Sequence, residues 1–468
     1  MSISSLGVGS GILTQDVLDQ LRAADESTII NPIKLSLANE NDKKNALKLI
    51  DATMTNLIDS INEIKSQSLY DERKTTVVGS SIDVVAAANS DVQDFTLEVT
   101  QLATKKIEQS GSFTDLLGED YLVASGAGSL NLNINGADYT INYDATTTLK
   151  DLKNEINNVA GADVDATLLN IGAGDVRLVI SSANTGSTQD ITITDTSANL
   201  TALSSTNIVG VGMADIQVAQ DAKFKFNGSA TEIVRSSNKV DDLITGLTIT
   251  LKEVNIVGQS SSASIAQDRE NIESKFDSFV EKYNSAMTEL GKMTKPSTDS
   301  AERGIFSGES TIKSMKGTLQ DIIGTIGGGV GLMGDYGFDI DKAGKMSIDK
   351  TIFNNKLDNS TSNTEIFFSG GDYDNGDATT TTVDGAFTEL SAFVEGYTKY
   401  NATLDQFKDS ISSTITSLED RQANSVERLD SKYAILKKQF TAYDLLINRI
   451  NSASNMFVQL ANAQTSNN

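Results

Sequence analysis

The chain has 468 residues, 38% hydrophobic and 22% charged, with a formal net charge of −25 and a sequence pI of about 4.4. It contains no cysteine, histidine or tryptophan, which removes disulfides, the usual zinc and haem ligands, and Ser-His-Asp or Cys-His chemistry. So acidic a chain lacks the basic face that nucleic acid or an anionic membrane surface requires, and copies of it repel one another, so self-assembly must rest on specific apolar contacts.

No Lys or Arg precedes Arg22, so the start does not read as a classical signal peptide. Ile12, Leu13, Val17, Leu18 and Leu21 predict a short helix from about Thr14, which Pro32 is expected to interrupt. From Leu47 the apolar positions Leu47, Ile50, Met54, Leu57, Ile61 and Ile64 alternate at three and four, the spacing of a coiled-coil seam. Between Ser80 and Val257 the period becomes two. Phe95, Leu97 and Val99 alternate, as do Leu130, Leu132 and Ile134, which lead through Asn135-Gly136 to Tyr139, Ile141 and Tyr143. Asn-Gly between alternating apolar residues predicts a hairpin, because both turn residues tolerate positive φ. Phe224 and Phe226 before Asn227-Gly228 repeat the device, and Leu178/Ile180, Ile191/Ile193 and Leu247/Ile249/Leu251 predict further strands. A short helix is expected over Leu149–Asn158. Thr196–Ala214 is uncharged for about the length of a membrane span, but its Ser, Thr, Asn and Gly content reads as loop and strand, so no membrane insertion is expected.

The helical period returns at Ile272, Phe276, Phe279, Tyr283, Ala286, Leu290 and Met293, ending before Pro296. Amphipathic stretches follow at Ser310–Ile323 and at Phe387, Leu390, Val394 and Tyr397, the latter broken near Tyr400–Thr403. Ile411, Ile415 and Leu418 open the last helix. Polar Gln422 and Ser425 then predict a bend or domain border before Leu429, Tyr433, Leu436, Phe440, Tyr443, Ile447, Ile450, Ser454, Phe457 and Ala461 resume the seam. At about 1.5 Å per residue, Asp405–Ala461 would be a rod of roughly 80 Å, a length typical of a coiled coil or bundle.

Motifs that could carry chemistry have plainer readings. Gly329-Val330-Gly331-Leu332-Met333-Gly334 matches G-x-G-x-x-G but follows a helical stretch and leads into a turn, so it reads as a loop. Asp339-Ile340-Asp341 with Gly344 resembles a calcium loop, yet Ala343 and Lys350 occupy the fifth and twelfth positions, so a β-turn is expected. Asp372–Asp377 reads as a solvated acidic loop. Nothing marks a pair of carboxylates for hydrolysis. No enzyme activity, metal or cofactor is expected.

Together these features predict an α+β multidomain fold in which a terminal coiled-coil or helical-bundle stalk carries inserted antiparallel β-rich head domains. The expected boundaries are 1–42 for an N-terminal leg helix pairing with 428–468, and 43–75 plus 265–427 for the stalk. Residues 76–112 plus 190–264 form an inner head and 113–189 an outer head. The stalk seam is Leu47, Ile50, Met54, Leu57, Ile61 and Ile64 with Ile272, Phe276, Phe279, Tyr283 and Leu290. The outermost ends, about Met1–Leu37 and the last 30 or so residues, are expected to be loose until an assembly orders them.

Several segments carry a resemblance. Ser2-Ile3-Ser4-Ser5-Leu6-Gly7-Val8-Gly9-Ser10-Gly11-Ile12, Phe95–Ala103, Ala222–Gly228, Ser237–Val240 with Gly246–Leu251, Tyr283-Asn284 and Lys438-Gln439-Phe440 stand in the order found in the bacterial flagellar filament cap family, hook-associated protein 2. The chain resembles that family over nearly its whole length, least over Gly111–Ser187. The resemblance implies export through the flagellar type III apparatus, an export chaperone on the C-terminal helices, and a homo-oligomeric ring, a pentamer, at the distal end of the filament. Heads would form a plate, with paired terminal helices as legs on flagellin. Leu13, Val17, Leu18 and Leu21 with Phe440, Tyr443, Ile447, Ile450 and Phe457 would then be the leg residues that meet flagellin or a neighbouring subunit. Two alternatives share this outline: another axial subunit, either flagellin or a hook–filament junction protein, and a surface adhesin whose head binds glycans.

Overall fold

The computed structural model describes residues 6–7, 10–12, 14–113, 118–172, 174–327 and 329–465. The chain divides into two compact units, Met1–Gln67 with Glu270–Asn468, and Ser68–Arg269. The second lies within the sequence of the first.

The first unit is mainly helical. Its N-terminal helix spans Gln15–Lys65, opened by Thr14, whose side chain accepts from Val17 N at 3.4 Å. Pro32 does not interrupt it, contrary to the expectation from sequence. The proline removes one donor and crowds the carbonyl of Thr28. Buried Ile30 and Ile33 hold the helix on either side, Thr28 Oγ1 donates to the carbonyls of Ala24 and Asp25, and Ser36 Oγ donates to Pro32 O.

The middle helix, Arg269–Thr294, ends before Pro296. Shorter helices follow at Ser310–Thr325, Lys350–Asn359, Thr361–Ser369 and Ala386–Thr398. Two small hairpins lie among them, Phe338–Ile340 with Met346–Ile348 and Gly371–Asp374 with Thr380–Val383. The C-terminal helix runs from Thr403 to Thr465. The bend or border expected at Gln422 and Ser425 is absent. Both residues are half-buried there, so a weaker seam costs contact without breaking the helix; no proline or glycine occurs between Thr403 and Thr465 to break it.

The second unit holds two β cores. In the first, a five-stranded antiparallel sheet is ordered 73–78, 261–267, 93–101, 222–226, 233–235, and a three-stranded sheet is ordered 239–240, 247–251, 82–86. Their inward residues, among them Val84, Leu97, Val99, Phe224, Ile249 and Ile265, form one core. In the second, a four-stranded sheet (213–217, 107–110, 175–182, 164–172) and a three-stranded sheet (137–143, 128–134, 191–195) share a core with helix Leu149–Ala160. That helix has a capping box, Thr148 with Asp151.

The second core is wider than the expected outer head of 113–189. Strand 191–195 pairs with 128–134, and 213–217 pairs with 107–110. Residues 68–75 and 265–269 likewise belong with the β unit and not the stalk, because strand 73–78 pairs with 261–267. The segment Thr196–Ala214, expected as loop and strand, contains helix Ala202–Ile208 capped by Thr201.

Both Asn-Gly steps have positive φ, with Asn135 at 51° and Gly136 at 80°, Asn227 at 49° and Gly228 at 70°. The first closes a two-residue hairpin, Ile134 opposite Ala137. The second opens a longer connection to Ile233, because Asn227 stays paired with strand 93–101: its N donates to Thr96 O and its Oδ1 accepts from Thr96 N.

One buried cation ties the second core together. Lys106 Nζ lies 2.7 Å from both Asp190 and Asp215 and 3.2 Å from Glu108. Both Lys106 and Glu108 are buried. The three carboxylates keep Lys106 charged, while burial, set against a lysine shared three ways, raises Glu108 to about 7.

Candidate assembly surface

The helical unit is built from two successive contacts. In the stalk, Leu47, Ile50, Met54, Leu57, Ile61 and Ile64 are buried along one face of the N-terminal helix, as are Ile272, Phe276, Phe279, Tyr283 and Leu290 along the middle helix. Phe276 sits among Phe338, Phe353, Phe368 and Phe387, with ring centroids 4.6–5.8 Å away. Polar clasps border this core. Lys65 Nζ donates to Ser391 Oγ at 3.0 Å, Ser391 Oγ donates to Asn62 Oδ1, and Lys275 meets Glu63 at 2.8 Å.

Toward the other end of the rod the N- and C-terminal helices run antiparallel. Leu18 and Ile30 are buried with Leu429 and Tyr433, and Leu6, Leu436 and Phe440 pack partly against them. Arg22 pairs with Asp430 at 2.5 Å. Asp25 accepts from Lys432 Nζ at 2.6 Å and Tyr433 OH at 2.8 Å. These donors hold the Asp25 carboxyl below its usual range, while burial and then Asp25 itself push the Tyr433 phenol up to about 12. Ser10 N and Oγ both donate to Asp444 Oδ1 at 2.8 Å.

The expected leg residues separate into groups. Leu13 lies outside the described residues. Leu18 is buried, Val17, Phe440 and Ile447 are half-buried, and Leu21, Tyr443, Ile450 and Phe457 are exposed, Phe457 at 73%. The seam therefore slips by one residue after Phe440: Asp444 turns inward and Tyr443 outward. A charged residue in the buried stripe gave no hydrophobic signal in the sequence; its partner, Ser10, lies 434 positions away. Beyond Asp444 the apolar side chains are mostly uncovered, with Leu446 at 53%, Ile450 at 58% and Met456 at 61% exposed. The exposed row is a stripe without an internal partner among the described residues.

The motif candidates resolve into turns. Leu332 N donates to Asp335 Oδ2, so the glycine-rich stretch leads into a capped turn, Met333–Tyr336; residue 328 lies outside the described residues. Asp341 Oδ1 accepts from the amides of Ala343 and Lys345. The stretch expected as an acidic loop is partly strand: Asp372 accepts from Thr382 Oγ1, Asp374 from Gly376 N, and Asp377 from Thr379 N. Among the described residues no group of three or more His, Cys, Asp or Glu could hold a metal ion, and no helix is long and apolar enough to cross a membrane.

Paired terminal helices, a strand-built insertion and an uncovered apolar helix end are the features that the comparisons with known proteins must match. Two family profiles match in chain order: flagellar hook-associated protein 2 N-terminus over residues 10–106, and flagellar hook-associated protein 2 C-terminus over 219–452. The chain belongs to the flagellar hook-associated protein 2 family. Hook-associated protein 2 of Campylobacter jejuni is 29% identical over 79% of this chain, which spans 64% of that relative's length. The A-type protein of Pseudomonas aeruginosa is 26% identical, with 97% of this chain and 96% of the relative aligned. The crystal structure of the D1-D2-D3 domains of the Escherichia coli flagellar cap protein superposes with a TM-score of 0.60 at 20% identity, covering 78% of this chain and 99% of that one, a likeness of fold.

Proposed function

We propose that this chain is a structural cap at the distal end of the bacterial flagellar filament, where it assists exported flagellin to fold and insert. Family membership supports the reading, and the uncovered stripe along Tyr443–Leu460 is the observation that carries it. Flagellin is the partner the stripe fits, since an acidic chain needs apolar contact to hold another protein. Side chains already half-exposed on a helix contribute at the low end of about 1.5–3 kcal/mol each on burial. A few such contacts hold a filament end and still release as each new subunit enters. Val17 and Leu21 with Phe440, Tyr443, Ile447, Ile450 and Phe457 are the proposed leg contacts, while buried Leu18 holds the two helices of the leg together. A homo-oligomeric ring, a pentamer, presents several legs at once, and an export chaperone covers the C-terminal helix before passage through the type III apparatus.

The test replaces Ile447 and Ile450 with Asp in the full chain. Flagella should become short or absent and unpolymerised flagellin should appear in the medium, with the purified variant's thermal melt unchanged. Filaments of ordinary length would remove the stripe from the mechanism. Polymerisation of the pure protein into long filaments would instead favour a filament subunit.

A further inference from the structure

A second surface of the helical unit lies beside the stalk seam and shares Leu47 with it. At the C-terminal end of helix Ala386–Thr398 a cavity of about 220 Å³ opens between that end, the start of the C-terminal helix and the N-terminal helix. Its apolar floor is buried Leu47 and Leu404. Lys44, Lys48, Lys399 and Lys408 line it with Tyr400, which is 95% exposed; Asp51 and Asp405 also line it. Lys399 pairs with Glu395 at 2.5 Å and Lys408 lies 3.9 Å from Asp405. Lys44 and Lys48 form no ion pair among the described residues.

Four lysines around one cavity stand out in a chain of net charge −25. The volume is below the 300–1,000 Å³ typical of small-ligand sites. It exceeds the roughly 150 Å³ that holds a benzene ring. The space therefore suits a single side chain or the end of a narrow turn. The N-terminal end of the same helix has the opposite character. Between Leu357 and Thr398 the sequence has eight acidic residues and no Lys or Arg. Its most exposed feature is the hairpin Gly371–Val383, where Asp372, Asp374 and Asp377 face solvent around a turn of small residues, Gly376 and Ala378. Thirteen helical residues separate the hairpin from the cavity, about 20 Å of rise, so the two cannot meet within one molecule.

We propose that the lysine-lined cavity of one copy receives the turn at the tip of the acidic hairpin 371–383 of a second copy, so that copies associate head to tail. This rests on the ring reading above and names its contact. Self-complementary charge at two separate places on one chain is the arrangement a heterologous, ring-closing interface requires. It also gives strongly acidic subunits one place where approach is attractive.

The test measures assembly of the full chain by sedimentation velocity across protein concentration. Two double variants, Lys44→Glu with Lys48→Glu and Asp374→Lys with Asp377→Lys, should each raise the concentration for half-assembly about tenfold or more, with unchanged circular dichroism. The quadruple variant, which exchanges the charges within every interface, should return toward the wild-type value. Assembly of either double variant at the wild-type concentration would overturn the contact while leaving the ring standing. A quadruple variant no better than the doubles, although its net charge equals the wild type's, would show that the two places do not pair with each other and overturn it too. A wild-type chain that stays monomeric at every concentration would overturn the ring and the contact together.

Discussion

The C-terminal helix carries apolar residues at helical spacing near both ends, and they meet two different fates. In its first part, Ile411, Ile415 and Leu418 are buried in the stalk; in its last part, Ile450, Met456 and Phe457 lie open. The helix is unbroken between them. Periodicity therefore says that a stripe seeks cover, and says nothing about whether the cover is in the same chain. The stalk stripe is covered within the chain, and the open stripe is the surface proposed above for flagellin.

That contrast predicts a graded set of effects. Phe276→Ala, at the centre of the aromatic cluster, should cost about 3–5 kcal/mol and lower the urea midpoint of the helical signal. A loss under about 1 kcal/mol would mean the stalk is not the stabilising half. In the β unit, Lys106→Met leaves buried Glu108 beside two further carboxylates and should cost about 3 kcal/mol in denaturant unfolding of the strand signal at pH 8. The loss should shrink at lower pH. Glu108 binds its proton more tightly folded, at about 7, than at its ordinary 4.5. Its contribution to stability is therefore full below about pH 4.5 and declines as the pH rises toward 7. A loss independent of pH would contradict this reading of the cluster.

Smaller effects are expected where the terminal helices pair. Tyr433→Phe removes one hydrogen bond to Asp25 and should cost about 1 kcal/mol, read as faster proteolysis of both ends. Asp25 has the opposite sign to Glu108. Its folded value lies below 3.8, so the pairing should hold above pH 3.8 and loosen as the pH falls through the lower folded value. The smallest effect belongs to the open stripe. Phe457→Ser should change the stability of the isolated chain by no more than about 0.5 kcal/mol, whereas filament growth should suffer.

Much of this was legible in the sequence. Alternation at three and four picked out Leu47–Ile64 and Ile272–Leu290, all buried in the structure, and alternation at two with Asn135-Gly136 placed a hairpin. What was not legible depended on distance or on local compensation. Strand 191–195 joins 128–134 by pairing that no local pattern announces. Pro32 breaks helices as a rule, but buried neighbours on both sides overrule it. Asp444 enters the seam because Ser10 supplies donors, and Lys106 gathers three carboxylates from separate strands and loops. Pattern reading found the stripes; it missed the polar residues that fix where each stripe begins and ends.

Hydrogen exchange along the C-terminal helix tests the central claim most directly, comparing the isolated chain with the same chain on flagellar filament ends. The amides of 403–440 should be protected in both states. Those of 445–462 should exchange rapidly in isolation and become protected on the filament. Strong protection of 445–462 in the isolated chain, or no gain on the filament, would contradict the account.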